Sequence, residues 1–81
     1  MNREEIFNII LEIFKEVLEN DQVYLEEGYT SNDVEGWDSL AHILLIVEIE
    51  KKFSLKFLTK EILKWKNIGE MIDYIEKKLA K

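Results

Sequence analysis

The segment from residue 39 to residue 53, SLAHILLIVEIEKKF, constrains the fold more than any other part of the chain. Its apolar residues do not keep to one stripe. At helical spacing His42, Leu45, Ile46, Ile49 and Phe53 share one broad face, while Leu40, Ile43, Leu44 and Val47 lie on other flanks. A helix that is apolar on most sides is normally buried on most sides. A chain of 81 residues has few other elements with which to surround it. The expected result is a helix whose Leu45, Ile46, Ile49 and Phe53 hold the core. Leu40, Ile43, Leu44 and Val47 then stay exposed, and exposed apolar patches mark binding surfaces. The competing arrangement packs those four against the first and last helices and the preceding connection. Asp38 is a good N-cap for this helix, and Lys51 and Lys52 suit its negative C-terminal end.

Two further segments carry the helical period. Ile6, Ile10, Ile13 and Val17 recur after Asn2 and Glu5, which have capping-box spacing, and predict a helix from Arg3 to about Glu19. Asn67 and Glu70 have the same spacing ahead of Ile68, Met71, Ile72, Ile75 and Leu79. Lys77, Lys78 and Lys81 near its end favour a helix there too. A short helix with Thr59 as its cap is expected from Thr59 to about Lys64. No segment alternates over strand length; Val23-Tyr24-Leu25 comes nearest and is too short. The expected class is all-α: a small four-helix bundle, residues 1–81 forming one domain, with three long helices, a short third helix and a long first loop. That loop, residues 20–37, is longer than compact domains usually tolerate without a function. Val23, Leu25, Tyr29, Val34 and Trp37 are placed to pin it to the core.

Composition narrows the function. The net charge of -6 disfavours nucleic acid, which wants a basic surface. The longest apolar run, Ile43 to Val47, is too short to insert in a membrane, and the polar start is not a secretory signal, so a cytoplasmic protein is expected. With no cysteine there is no disulfide, no thiolate metal site and no thiol nucleophile. Charge is uneven along the chain. Residues 1–50 sum to -11 and residues 51–81 to +5, which suggests either two solvated faces or a surface that selects partners by charge.

Ser39 is the residue whose chemistry needs an explanation. His42, the single histidine, lies one turn away, but there is no third group to orient it and no G-x-S-x-G elbow, so hydrolysis is disfavoured. Asp38 and His42 make at best half a metal site, and no metal is expected. A packed His42 is the simpler reading. A helix N-terminus offers free N–H groups and positive partial charge, and it favours a phosphate. A serine placed there after a long loop can carry a phosphodiester. The plainer alternative is a cap and a first helical residue, nothing more.

Over nearly its whole length the chain resembles the acyl carrier protein family, the phosphopantetheine-bearing carriers of fatty acid, polyketide and peptide synthesis. The resemblance runs through Asp38-Ser39-Leu40, Glu50-x-x-Phe53, "LKF" at 55–57 and "IGEMIDYIEKKL" at 68–79. It implies a bundle of acyl-carrier type with 4'-phosphopantetheine esterified to Ser39. Asp38 would cap the helix and assist the transferase complex, Gly36 would allow the loop's tight approach, and Leu40 would complete the attachment motif. Trp37 is expected to be a packing anchor. The implied protein is a monomeric carrier, not an enzyme. Its implied partners are a phosphopantetheinyl transferase, acyl or aminoacyl ligases or synthases, and acyltransferases. These would grip Leu40, Ile43, Leu44, Val47 and Ile62. Carriers of the fatty-acid type are acidic near the serine; here Ala41 and Leu44 occupy such positions, and Lys60, Lys64 and Lys66 follow around the third helix. This favours a specialised carrier over a housekeeping fatty-acid one. The alternatives are a D-alanyl or peptidyl carrier and, from another class, an unmodified helical interaction module. A long acyl chain could enter near Ile46, Ile62 and Ile68, unless Phe53, Phe57 and Trp65 fill that space.

Overall fold

In the computed structural model, which describes residues 1–62 and 64–80, the order is α1 (Arg3–Val17), α2 (Ser39–Phe53), α3 (Thr59–Ile62) and α4 (Ile68–Leu79). Among the described residues there is no strand. Helix α1 packs against both α2 and α4. Ile6, Ile10, Ile13 and Phe14 of α1, Leu45, Ile49 and Phe53 of α2, and Ile68, Met71, Ile72 and Ile75 of α4 form one core. Leu25, Val34 and Trp37 from the long connection join it, with Val23 and Tyr29 packed on its edge. All five residues expected to pin that loop therefore do so.

Helix α1 stops two residues earlier than its apolar period suggests. Glu19 turns left-handed at φ 51°. Its N–H then donates to the Glu16 carbonyl and the Asn20 N–H to the Lys15 carbonyl. This pairing satisfies the terminal carbonyls, and glycine is its usual marker. Helix α2 ends in the same way at Ser54, φ 55°, with the Leu55 N–H returning to the Glu50 carbonyl.

The caps are partly as expected. Asn2 and Glu5 form the full reciprocal box. At α4, Asn67 accepts from the Glu70 N–H at 2.9 Å, but the Glu70 carboxylate reaches one residue further back, to the Lys66 N–H at 3.0 Å. Thr59 is not the cap of α3; it is the first helical residue. Leu58 stands at the cap position, where an apolar side chain can accept nothing, and Glu61 accepts its N–H at 2.7 Å instead. Of the stretch expected to continue α3, residue 63 lies outside the described residues and Lys64 is in a turn. Lys81, expected near the end of α4, also lies outside them.

The connection between α1 and α2 is tied to the start of α4. The Gly69 N–H donates to the Glu27 carbonyl at 2.7 Å and the Ile68 N–H to the Tyr29 carbonyl at 3.1 Å. These N–H groups belong to the first turn of α4, where no helical partner exists. A side chain at Gly69 would place its Cβ 3.2 Å from the Glu27 carbonyl oxygen, tighter than an ordinary contact, so the close approach favours glycine. Arg3 reinforces the junction. Its guanidinium binds both carboxylate oxygens of Glu27, at 2.9 and 2.7 Å, as well as Asp73, Glu76 and the Gly69 carbonyl. The loop that leads to Ser39 is thus an ordered strap.

Candidate functional site

The strap ends in a tight sequence of bonds: the Trp37 N–H donates to the Val34 carbonyl and the Asp38 N–H to the Gly36 carbonyl. Gly36 sits at φ 88°, in the region that favours glycine. An added Cβ would meet only ordinary contact, 3.6 Å from a Leu18 methyl. The requirement at Gly36 is therefore conformational; the expected close approach is made at Gly69 instead. Asp38 is the N-cap and accepts from the Ala41 N–H at 2.8 Å.

Ser39 follows as the first residue of α2, and it is exposed. Because Asp38 does the capping, the serine hydroxyl is not needed by the helix. Ser39 lines a cleft of about 580 Å³ together with Trp37, His42, Ile43, Ile62, Trp65 and Lys66. An exposed hydroxyl on a rigid, capped helix start beside an open cleft fits a covalently attached phosphate arm.

Trp37 is an anchor, as expected. It is 8 % exposed and meets the Phe14 ring in a T-shaped contact, with centroids 5.0 Å apart. It also does something the sequence reading missed. Its indole N–H donates to Nδ1 of His42 at 3.1 Å, and the two rings lie nearly parallel, 21° apart. His42 is half-buried, and that burial pushes its pKa below the ordinary histidine value. Trp37 directly precedes the cap and His42 is the fourth helical residue. These are the two positions that meet in a hydrophobic staple, the signal that could have paired them.

The apolar surface divides as expected. Leu40, Ile43, Leu44 and Val47 are 67, 61, 47 and 40 % exposed, and Leu45, Ile46, Ile49 and Phe53 are buried. Ile62 is half-buried and lines the cleft with Ile43. Ala41, unlike Leu44, is buried against the core. Its position one turn before Leu45 puts it on the inner stripe.

At the wall of the cleft, Trp65 meets Phe57 in a T-shaped contact and Tyr74 in a tilted one, with ring centroids 5.0 and 5.9 Å apart. The Trp65 indole N–H is buried without an acceptor among the described residues. Lys60, Lys64 and Lys66 are exposed, and none is ion-paired among the described residues. Glu61 faces the other way. It binds Lys78 of α4 at 3.3 Å, and the Leu58 N–H, then Lys78, hold its carboxyl below the ordinary carboxylate range. No cluster of three or more His, Asp or Glu suited to a metal occurs among the described residues, and no helix described is long and apolar enough to cross a membrane.

Comparison with known proteins supports the same interpretation. Residues 8–75 match the phosphopantetheine attachment site family. The chain is 35 % identical to an acyl carrier protein of Thermotoga maritima over 98 % of each chain. It is 32 % identical to one from Acidothermus cellulolyticus over 93 % of this chain and 89 % of that one. Its fold is similar to the solution structure of holo acyl carrier protein from Geobacter metallireducens, with a TM-score of 0.83, 38 % identity, and 90 % of this chain and 84 % of that one covered. Fold and matches together define a small helical carrier that does no catalysis of its own. The chain belongs to the phosphopantetheine-bearing acyl carrier protein family, and 4'-phosphopantetheine is its prosthetic group.

Proposed function

We propose that Ser39 is the attachment residue and that the chain serves enzymes other than the housekeeping fatty-acid machinery. One observation carries the first point: Ser39 is an exposed hydroxyl at the start of a helix already capped by Asp38. In the transfer, Ser39 Oγ forms a bond to the pantetheine-side phosphorus of coenzyme A. The pyrophosphate P–O bond breaks, adenosine 3',5'-bisphosphate leaves, and the serine proton is released. The arm's thiol then holds cargo as a thioester; a chain without cysteine has no other thiol for this. The chemistry is the cofactor's, and the protein presents it.

Charge supports the second point. The first turn of α2 contains no acid, and the outer surface beside Ser39 is Leu40, Ile43, Leu44 and Val47. Lys60, Lys64 and Lys66 stand around α3. This surface suits partners with an apolar recess and acidic neighbours, and it disfavours partners built for an acidic carrier. Gly36, Asp38 and Leu40 would form the rest of the attachment motif. The partner enzymes would be a phosphopantetheinyl transferase, ligases or synthases, and acyltransferases, acting on a single-domain cytoplasmic monomer. Aminoacyl cargo is a second reading, favoured by the Phe57–Trp65–Tyr74 cluster, whose rings would take up space that a long acyl chain would need.

The test is intact mass after incubation with coenzyme A and a broad-specificity transferase. A gain of one phosphopantetheine, absent in Ser39→Ala, is expected; no gain with several transferases overturns the proposal and favours an unmodified interaction module. Loading by acyl and aminoacyl ligases then separates the cargo classes. Efficient service of a housekeeping ketosynthase system would overturn the specialised role.

A further inference from the structure

Trp37 and His42 do more than fill space beside Ser39. An indole nitrogen can only donate. Trp37 Nε1 lies 3.1 Å from His42 Nδ1, so Nδ1 must accept and carries no proton. A neutral imidazole then holds its single proton on Nε2. Burial favours that neutral form, as the lowered pKa of His42 agrees. Two features make the arrangement rigid. Trp37 is fixed by its T-shaped contact with the Phe14 ring, and the indole and imidazole planes are nearly parallel. Among the described residues no protein group accepts from His42 Nε2, although the side chain lines the Ser39 cleft. His42 follows Ser39 by three residues, and side chains at that spacing are neighbours on a helix, with about 5–6 Å between Cβ atoms.

We infer that the His42 Nε2–H is a built hydrogen-bond donor for the phosphodiester carried on Ser39, fixed in that tautomer by the Trp37 indole. This rests on Ser39 being the attachment residue. A phosphodiester offers two unesterified oxygens with negative charge. A neutral N–H donor satisfies one of them without an ion pair that would clamp the arm. His42 is thus a positioning residue: it orients the first link of a flexible chain whose thiol lies far away. Ile43 and Trp65 supply apolar wall along the same cleft, and Lys66 supplies a cation at its rim.

The experiment uses the holo protein, with loading verified by mass, and reads ring-nitrogen and phosphorus NMR. The expected results are the Nε2–H tautomer in both apo and holo forms and slower exchange of that proton in the holo form. The phosphorus resonance should shift in His42→Ala and return toward wild type in His42→Gln, whose amide N–H can stand near the Nε2 position. A structural role alone would not be rescued by glutamine. Trp37→Phe provides a second variant should His42→Ala fold poorly: it keeps a ring on Phe14 and should leave His42 with mixed tautomers. Loaded wild-type and His42→Ala proteins with the same phosphorus shift would overturn the inference, as would an Nδ1–H tautomer in the apo protein. In both cases Ser39 would remain the attachment residue. A wild-type chain that gains no phosphopantetheine overturns the attachment reading and this inference with it.

Discussion

Helices α1 and α2 are both 15 residues long and lie side by side, yet they are written differently. α1 buries Ile6, Ile10, Ile13 and Phe14, and its outer side is Glu4, Glu5, Asn8, Glu12 and Glu16. α2 buries Ala41, Leu45, Ile46, Ile49 and Phe53 and still presents Leu40, Ile43, Leu44 and Val47 outward. One helix satisfies a single neighbour, the rest of the domain. The other leaves apolar surface that nothing in the domain covers, the face proposed above for partner enzymes. Apolar content alone would rank α2 as the more structural of the two, whereas its outer half contributes little to holding the domain together.

Five substitutions and one titration can break or sharpen that contrast. The largest effect belongs to Ser39→Ala, which should abolish phosphopantetheine loading by mass and leave thermal stability near wild type, because Asp38 is the cap. Next come the inner stripes. Ile10→Ala and Leu45→Ala each should cost about 2–5 kcal/mol in urea unfolding, since both side chains are fully buried. Comparable losses in the two helices would show that their inner faces are equivalent. Ile43→Glu on the outer face of α2 should move stability by no more than about 0.5 kcal/mol. It should raise the KM of a cognate loading ligase roughly tenfold, the equivalent of about 1.4 kcal/mol. A large stability loss there would erase the distinction between the faces.

The smallest effect is electrostatic. The hydrogen bond from Arg3 holds the Glu27 carboxyl below its ordinary value of 4.5. A carboxylate whose folded pKa is lowered stabilises the fold at pH above its unfolded value, and the contribution is lost as pH falls through the folded pKa. Stability should therefore decline below about pH 4.5, and Arg3→Ala should flatten that part of the curve. His42 adds a second acid limb. Its folded pKa lies below 6.5, so the unfolded chain binds the proton first and stability falls as pH drops from there.

Much of the fold was legible because three segments carry a clear helical period, and Asn2, Asp38 and Asn67 announce their starts. The errors fall where the chain departs from usual residue choices. Glu19 and Ser54 take left-handed turns without glycine, so nothing in the sequence marked the end of α1. Leu58 occupies a cap position because Glu61 reaches back to it, a substitution of donor and acceptor that propensity cannot reveal. Within the site, Asp38 as the cap and the exposed outer ridge were legible from pattern and spacing, whereas a role for Ser39 came only from the family resemblance. The burial of Ala41 was not read, because it depends on how α2 rotates against α1. The Trp37–His42 bond depends on the strap's conformation, and the Arg3 cluster on side chains separated by up to 73 residues.

The bonds from Ile68 and Gly69 to Tyr29 and Glu27 also set an order in time. The strap that positions Ser39 accepts hydrogen bonds from residues made after it, and contacts at such sequence separation form only when the distant segment arrives. While the chain is being synthesised, Ser39 is therefore present before its support is.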